Sequence, residues 1–267
     1  MSYANYYPSS GMFHASLPLL MGTRLDILLF GDDKEHLEHI WECTEMELKR
    51  LEMMLNRYDP KSEVAMINNK APHAEVQLSD ELWHIIHDCS QYYNKTDGFF
   101  DVTYTCFDHI ILMGKTHAIR FDREDMILDF GGYAKGYALK CVQQKLREAE
   151  IKRAFVNFGN SSVLAFGTHP YGDSWSIQID NTSDANELSS IKLCNTSFSV
   201  SGNSLDRKKH IINPKTAEYI IGDAMVAVVA KDPLDAEVLT TAWMASGYQK
   251  EPGWMSEFNI ETSYRIK

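Results

Sequence analysis

The chain has 267 residues, 44% hydrophobic and 24% charged, with a formal net charge of -11. Those figures fit one large globular domain, or two α+β lobes sharing a core, and the acidic balance excludes a nucleic-acid binder, which needs a basic face. No apolar run reaches membrane-spanning length, and the five cysteines, odd in number and never spaced CxxC, suit reduced thiols in a cytoplasmic protein.

Residues 1–20 lack a basic n-region and a continuous apolar core, so they read as an N-terminal arm rather than a signal peptide, with the domain running from 21 to 267. Arg24 to Phe30 is a predicted strand turned by Gly31. From Lys34 to Tyr58 the spacing predicts a helix, with Leu37, Ile40, Trp41, Thr44, Leu48, Leu51 and Leu55 on one face, stopped by Asp59 and Pro60. Lys61 to Asn68 reads as a polar turn. Ser79 caps a second helix reaching Tyr93, and Thr96 to Thr103 follows as a loop.

Ile127 to Phe130 reads as a strand that feeds Gly131 and Gly132 and then a helix. Beyond it come strand candidates at Ala154–Phe158, Val163–Phe166, Trp175–Ile179, Ile191–Cys194 and Phe198–Ser201, with turns that include Asp180 and Asn181. Met225 to Ala230 is a valine-rich strand. Asp232 and Pro233 then open a helix that stops at Gly247. The mixture of helices with mostly antiparallel strands predicts an α+β fold.

Three constellations carry chemistry. A glycine turn at a helix start leaves backbone N–H groups free for a phosphate, and Lys135 adds a charge that its own helix dipole does not favour. Tight packing of the helix start would use the same glycines. On the last helix Glu237 and Thr241 stand one turn apart, with Thr240 alongside, a hard-oxygen pair of the kind Mg²⁺ uses beside phosphate oxygens. A solvated glutamate and a threonine bonded to its own helix would give the same letters. Third, His210 lies in a loop beside the basic run Arg207, Lys208 and Lys209, and is a general base, a phosphate contact or a surface histidine. Tyr58, Phe99, Phe100 and Asp101 sit in turns, where aromatic rings stack on a planar ligand or plug a core.

Taken together, these segments resemble the FAD:protein FMN transferases, the ApbE-like flavin transferase family. Met21-Gly-Thr23 is similar to the family's MGT, and Arg57 to Glu63 with Asn68 to its RY-x-P-x-SE…N. Thr96 to Thr103 resembles T-x-GAFDPT, Asp129 to Ala138 resembles DLGGIAKGYA, His210 to Thr216 resembles HIIDPxTG, and Ala236 to Ala242 resembles ADALSTA. The resemblance implies an ApbE-like architecture, related to the T-fold, in which mostly antiparallel sheets pack against helices. It implies FAD contacts at Met21, Tyr58, Phe99, Phe100, Asp101, Asp129, Gly131, Lys135, Tyr137 and Ile212. It implies Mg²⁺ ligands at the Ala134 carbonyl, Glu237, Thr241 and Thr240, and a catalytic histidine at His210.

The implied reaction is Mg²⁺-dependent transfer of FMN from FAD to a threonine hydroxyl in a flavinylation motif of an acceptor protein, with AMP released. A Mg²⁺-dependent FAD pyrophosphatase, or a non-catalytic flavin-binding relative, is the alternative. The chain departs from the pattern at Glu237 (aspartate in the family), Asn213 (aspartate), Asn160 and Ala217 (glycine), and at Val200 to Ser204, where the family has TSGDY.

Overall fold

An eight-stranded antiparallel sheet organises the computed structural model, which describes residues 2–179, 190–203 and 210–266. It begins with β1 (Tyr3–Tyr7), β2 (Met12–Leu20) and β3 (Thr23–Phe30), followed by α1 (Lys34–Leu55), α2 (Glu63–Lys70), β4 (Val76–Gln77) and α3 (Asp80–Lys95). Next come β5 (Ile110–Met113), β6 (Ala118–Phe121), α4 (Ala134–Glu148), β7 (Arg153–Phe158), β8 (Ser162–Phe166), β9 (Trp175–Ile177), β10 (Ile191–Leu193) and β11 (Thr196–Gly202). The chain closes with β12 (Ile212–Asn213), β13 (Glu218–Tyr219), β14 (Met225–Ala230), α5 (Pro233–Ala245) and β15 (Ile260–Ile266). Strand order across the large sheet is β1-β2-β3-β7-β8-β11-β14-β15. The architecture is α+β, and among the described residues no helix is long and apolar enough to cross a membrane.

Both faces of this sheet are covered, so its central strands are apolar at successive positions rather than alternate ones. On β14, Val226, Val228 and Ala230 face the main core under α1, α4 and α5, while Ala227 and Val229 face a smaller core under the β9–β10 hairpin. Helix α5 is buried at most of its positions because it is wedged between α4 and the strands β11 and β14. Asp232 caps its start, accepting from the Leu234 N–H at 2.9 Å, as the Asp-Pro pair predicts.

Three local expectations are corrected. The N-terminal arm is an antiparallel hairpin, with β2 paired to β3 and Phe13, Ala15, Leu17 and Leu20 buried. Its period-two pattern is broken by Ser16, buried between Ala15 and Leu17, and by the register shift that leaves Leu19 exposed before buried Leu20. Lys61 to Asn68 is largely helix: Ser62 accepts from the Ala65 N–H at 2.9 Å and so opens α2. Ile127 to Phe130 is extended but belongs to no sheet. Its ladder is replaced by a side chain, since Asn68 accepts from the Leu128 N–H at 2.7 Å and donates to the Leu128 carbonyl at 2.9 Å. The basic run at 207–209, the turn at Asp180 and Asn181, and Ser204 lie outside the described residues.

Candidate active site

Glycines bring the two halves of the site together. A Cβ on Gly136 would lie 2.6 Å from the Glu237 Cβ and 3.0 Å from the Pro233 carbonyl, and one on Gly132 would lie 2.8 Å from the Thr241 Cγ2. Helix α4 therefore starts in near-backbone contact with α5, which side chains at these positions would prevent. Between the two glycines, Lys135 forms an ion pair with Glu237 Oε1 and donates to Ser162 Oγ at 2.8 Å. Ser162 and Ser199 donate to the other carboxylate oxygen, Oε2, at 2.5 and 2.9 Å. Glu237 is buried and Lys135 half-buried, with side-chain exposures of 5% and 19%.

One of the readings left open by the sequence is thereby settled. Glu237 is not a solvated surface acid. Among the described residues, the anion that Lys135 meets at its helix start is this carboxylate. Three amides of the turn have internal partners: Gly131 N–H donates to Asp129 Oδ1 at 2.8 Å, and the Tyr133 and Ala134 N–H groups both reach the Phe130 carbonyl. Gly132 and Gly136 serve close packing, the plainer of the two readings.

A second cluster lies at the mouth of the turn. Asp129 Oδ2 accepts from the Tyr104 hydroxyl and sits 2.7 Å from Arg57 Nε, a close ion contact whose Nε–H is poorly aligned for a hydrogen bond. The Arg57 guanidinium lies 4.3 Å from the Tyr58 ring centroid, and Tyr58 is 77% exposed. Burial works against the charge on Arg57, but Asp129, Tyr104 and Tyr58 together outweigh it and hold its pKa above the ordinary value. Burial first, and the bond to Asp129 second, push the Tyr104 phenol up. Tyr104 adopts φ 71°, an uncommon conformation for a tyrosine, which aims its hydroxyl into this cluster.

The loop after α3 is stapled to the same turn, for Asp129 N–H donates to the Val102 carbonyl at 2.7 Å. Asp101 accepts from both the N–H and the hydroxyl of Thr103, and its burial raises its carboxyl above the usual range. Phe99 is half-buried beneath Lys215, whose ammonium lies 5.8 Å from the ring centroid and 5.9 Å from that of Tyr93. Lys215 belongs to the β12–β13 hairpin, which His210 precedes and in which Ile212 pairs with Tyr219. Met21 donates its N–H to Glu52 at 2.7 Å, and Thr23 beside it abuts Gly159 just ahead of β8.

Three candidates are turned away from the open side. Phe100 is 2% exposed and packs on Tyr92 and Tyr133. Tyr137 lies two residues past Lys135, just over half a turn around α4, and donates to Glu81 on α3 at 3.0 Å. Thr240 is fully buried, with its one hydroxyl proton in reach of the Glu237 carbonyl at 2.9 Å, the Ala236 carbonyl at 3.1 Å and Ser199 Oγ at 3.3 Å. Thr241 also bonds its own helix, at the Glu237 carbonyl, 3.1 Å away, but remains half-buried against Gly132.

Sequence reasoning missed Arg57, Tyr104, Ser162 and Ser199 as parts of the site. The only signal for the serines was a hydroxyl set in apolar strand runs, where a buried polar group needs a partner. Among the family departures, Asn160 and Ala217 keep the left-handed backbone suited to glycine, at φ 57° and 58°. Asn213 accepts from the Lys215 N–H at 2.9 Å, a turn role an aspartate would also fill.

Among the described residues no group of three His, Cys, Asp and Glu side chains is placed to hold a metal. One carboxylate and one hydroxyl instead meet a turn that lacks a Cβ, and a Cβ at Gly132 would lie 3.0 Å from Thr241 Oγ1. This hard-oxygen donor set fits a cation such as Mg²⁺, which keeps waters and takes further ligands from a phosphate.

A profile of the ApbE family matches residues 21–115 and 104–264. The FAD:protein FMN transferase of Klebsiella pneumoniae (strain 342) is 23% identical, over 87% of this chain and 82% of its own length. That of Chlamydia muridarum is 24% identical, over 72% of this chain and 71% of its own length. Among solved structures, the ApbE protein of Thermotoga maritima has a TM-score of 0.81 at 20% identity, covering 100% of this chain and 97% of that one. The apo form of the Pseudomonas stutzeri flavinyl transferase ApbE has a TM-score of 0.80 at 22% identity, over 96% and 91%. With the profile reaching from the β2–β3 turn into β15, the chain belongs to the ApbE family.

Proposed function

We propose that this protein is an FAD:protein FMN transferase that moves FMN from FAD to a threonine hydroxyl of an acceptor protein. The observation that carries this reading is the meeting of Glu237 and Thr241 with the glycine turn, at Gly132 and Lys135. Its other support is the name borne by the curated relatives. Glu237, Thr241 and the Ala134 carbonyl would hold Mg²⁺, which would supply charge neutralisation at the diphosphate. Lys135 supplies a second positive charge there. Tyr58, backed by Arg57, offers an exposed ring for a planar group, and Phe99 offers a half-buried one at the other side of the turn.

In the transfer step an imidazole nitrogen of His210 accepts the proton of the threonine hydroxyl. The threonine oxygen bonds to the FMN-side phosphorus, the anhydride bond to the AMP phosphate breaks, and AMP leaves with the electron pair. The acceptor keeps FMN as a phosphoester.

The test is incubation of the protein with FAD, Mg²⁺ and a threonine-containing acceptor peptide, following AMP and peptide mass together. The expected result is AMP release matched by a peptide heavier by one FMN less one water. His210→Ala should abolish both and leave FAD binding intact. AMP release with no change in peptide mass would convert the reading to an FAD pyrophosphatase, and no AMP at all would leave a flavin-binding relative.

A further inference from the structure

We infer that Ser162 and Ser199 are positioning residues for Glu237, and that Lys135 is a built-in counter-cation which a divalent ion must displace. This inference rests on the reading of Glu237 as a metal ligand. Ser162 on β8 and Ser199 on β11 stand directly opposite each other in the antiparallel ladder, so both hydroxyls leave the same face of the sheet side by side. They converge on one atom, Glu237 Oε2, at 2.5 and 2.9 Å. Both serines are nearly inaccessible, at 1% and 2% exposure. Behind them the Thr240 hydroxyl, which bonds its own helix at the Glu237 carbonyl 2.9 Å away, lies 3.3 Å from Ser199 Oγ.

The consequence is that the two oxygens of Glu237 have different tasks. Oε2 is anchored in the sheet, and Oε1 alone faces the turn, where the Lys135 ammonium occupies it. A shorter acid at this position would stop one methylene short of the serine pair. The longer side chain and the two hydroxyls are therefore a matched set, and glutamate here is not a loose version of aspartate. A cation arriving at Oε1 meets an ammonium already bonded there, so the ion and Lys135 compete for one oxygen. Once freed, Lys135 keeps its bond to Ser162, 2.8 Å away, and stays beside the turn.

The experiment is titration of the full chain with Mn²⁺ alone, read by electron paramagnetic resonance of the free ion, with no flavin present. Lys135→Met should tighten Mn²⁺ binding at least tenfold. Ser162→Ala and Ser199→Ala should each weaken it by about tenfold, the lower end of what loss of a ligand's hydrogen-bond partner costs, with melting temperatures within a few degrees of the parent. Glu237→Asp should bind no better than the serine variants. Equal affinity in the parent, Lys135→Met and the serine variants, or binding in none of them, overturns the inference. Should a serine variant fold poorly, the Lys135→Met comparison decides alone. Altered Mn²⁺ affinities without peptide flavinylation would sink the proposed function and leave this inference standing.

Discussion

Glu237 and Asp129 stand at the two ends of one glycine turn, each faced by a single cation and by at least one hydroxyl, yet they are held in different ways. Glu237 draws all its partners from regular elements: Lys135 from α4, Ser162 from β8 and Ser199 from β11. Asp129 draws its partners from irregular segments, with Arg57 just past α1, Tyr104 in the loop after α3, and the Gly131 amide. The inner pair has exposures of 19% and 5%, the outer pair 24% and 16%. A charge pair fixed by strands and helices holds one geometry and is barely screened. A pair fixed by loops can adjust around a bound ring and remains within reach of salt. In the inner pair, removing one partner strands a buried charge, at a cost of about 3–5 kcal/mol.

The sharpest way to break this contrast is to push α4 off α5. Gly136→Ala would set a methyl 2.6 Å from the Glu237 Cβ and against the Pro233 carbonyl, neither of which can swing aside. Overpacking of this kind costs about 2–3 kcal/mol, and the shift also pulls Lys135 from Glu237. Urea unfolding should show a lowered midpoint with an unchanged slope. Gly114→Ala, where a Cβ meets nothing within 4 Å, serves as the control. An unchanged midpoint for Gly136→Ala would mean that the contact between the helices is looser than drawn here.

The unequal build of the two ends explains what could be read from the letters. Helix α1, the cap at Ser79 and the Asp-Pro start of α5 were legible because caps and apolar stripes are local, written within a few residues. Glu237 and Thr241 were legible as a pair because helix spacing alone puts them on one side. Ser162 and Ser199 were not, since they lie 37 positions apart by number and meet only through strand pairing across β8 and β11. Tyr104 was hidden for another reason: its hydroxyl reaches Asp129 only because the backbone takes φ 71° there, and no residue type announces that. The N-terminal hairpin was missed because β2 gains its stability from β3 and the core, not from its own composition.

At the outer end the expected effects are smaller. Tyr104→Phe removes one hydroxyl donor to Asp129 and leaves Arg57 and the Gly131 amide in place. A loss of about 1 kcal/mol follows for a hydrogen bond whose acceptor keeps other partners. Because Asp129 is reachable by ions, Arg57→Met should cost less at about 0.5 M salt than at about 0.05 M. Lys135→Met should cost the same at both. A salt effect of equal size at the two ends would erase the distinction between them.

The smallest effect concerns a third carboxylate, which forms no ion pair among the described residues. Asp101 is held by donors only, the Thr103 N–H at 2.7 Å and the Thr103 hydroxyl at 2.6 Å, and its burial raises the carboxyl above the ordinary 3.8. A raised acid binds its proton more tightly in the folded state. Its contribution is therefore fully present below the ordinary value and is lost as pH rises through the folded one. Asparagine keeps an acceptor for Thr103 but cannot ionise, so the stability of Asp101→Asn relative to the parent should climb as pH rises above about 4 and then level off. Any fixed offset from an altered hydrogen bond is independent of pH, so the sign of the slope carries the prediction. Glu47 supplies the opposite case, because its bond to Arg50 holds its carboxyl below the ordinary 4.5. That contribution is present above 4.5 and is lost as pH falls, so Glu47→Gln should lose ground to the parent over the same rise in pH. Chemical denaturation at a series of pH values from about 3 to 7 reads both slopes, and slopes of the same sign would show that Asp101 is charged and stabilised in the folded protein after all.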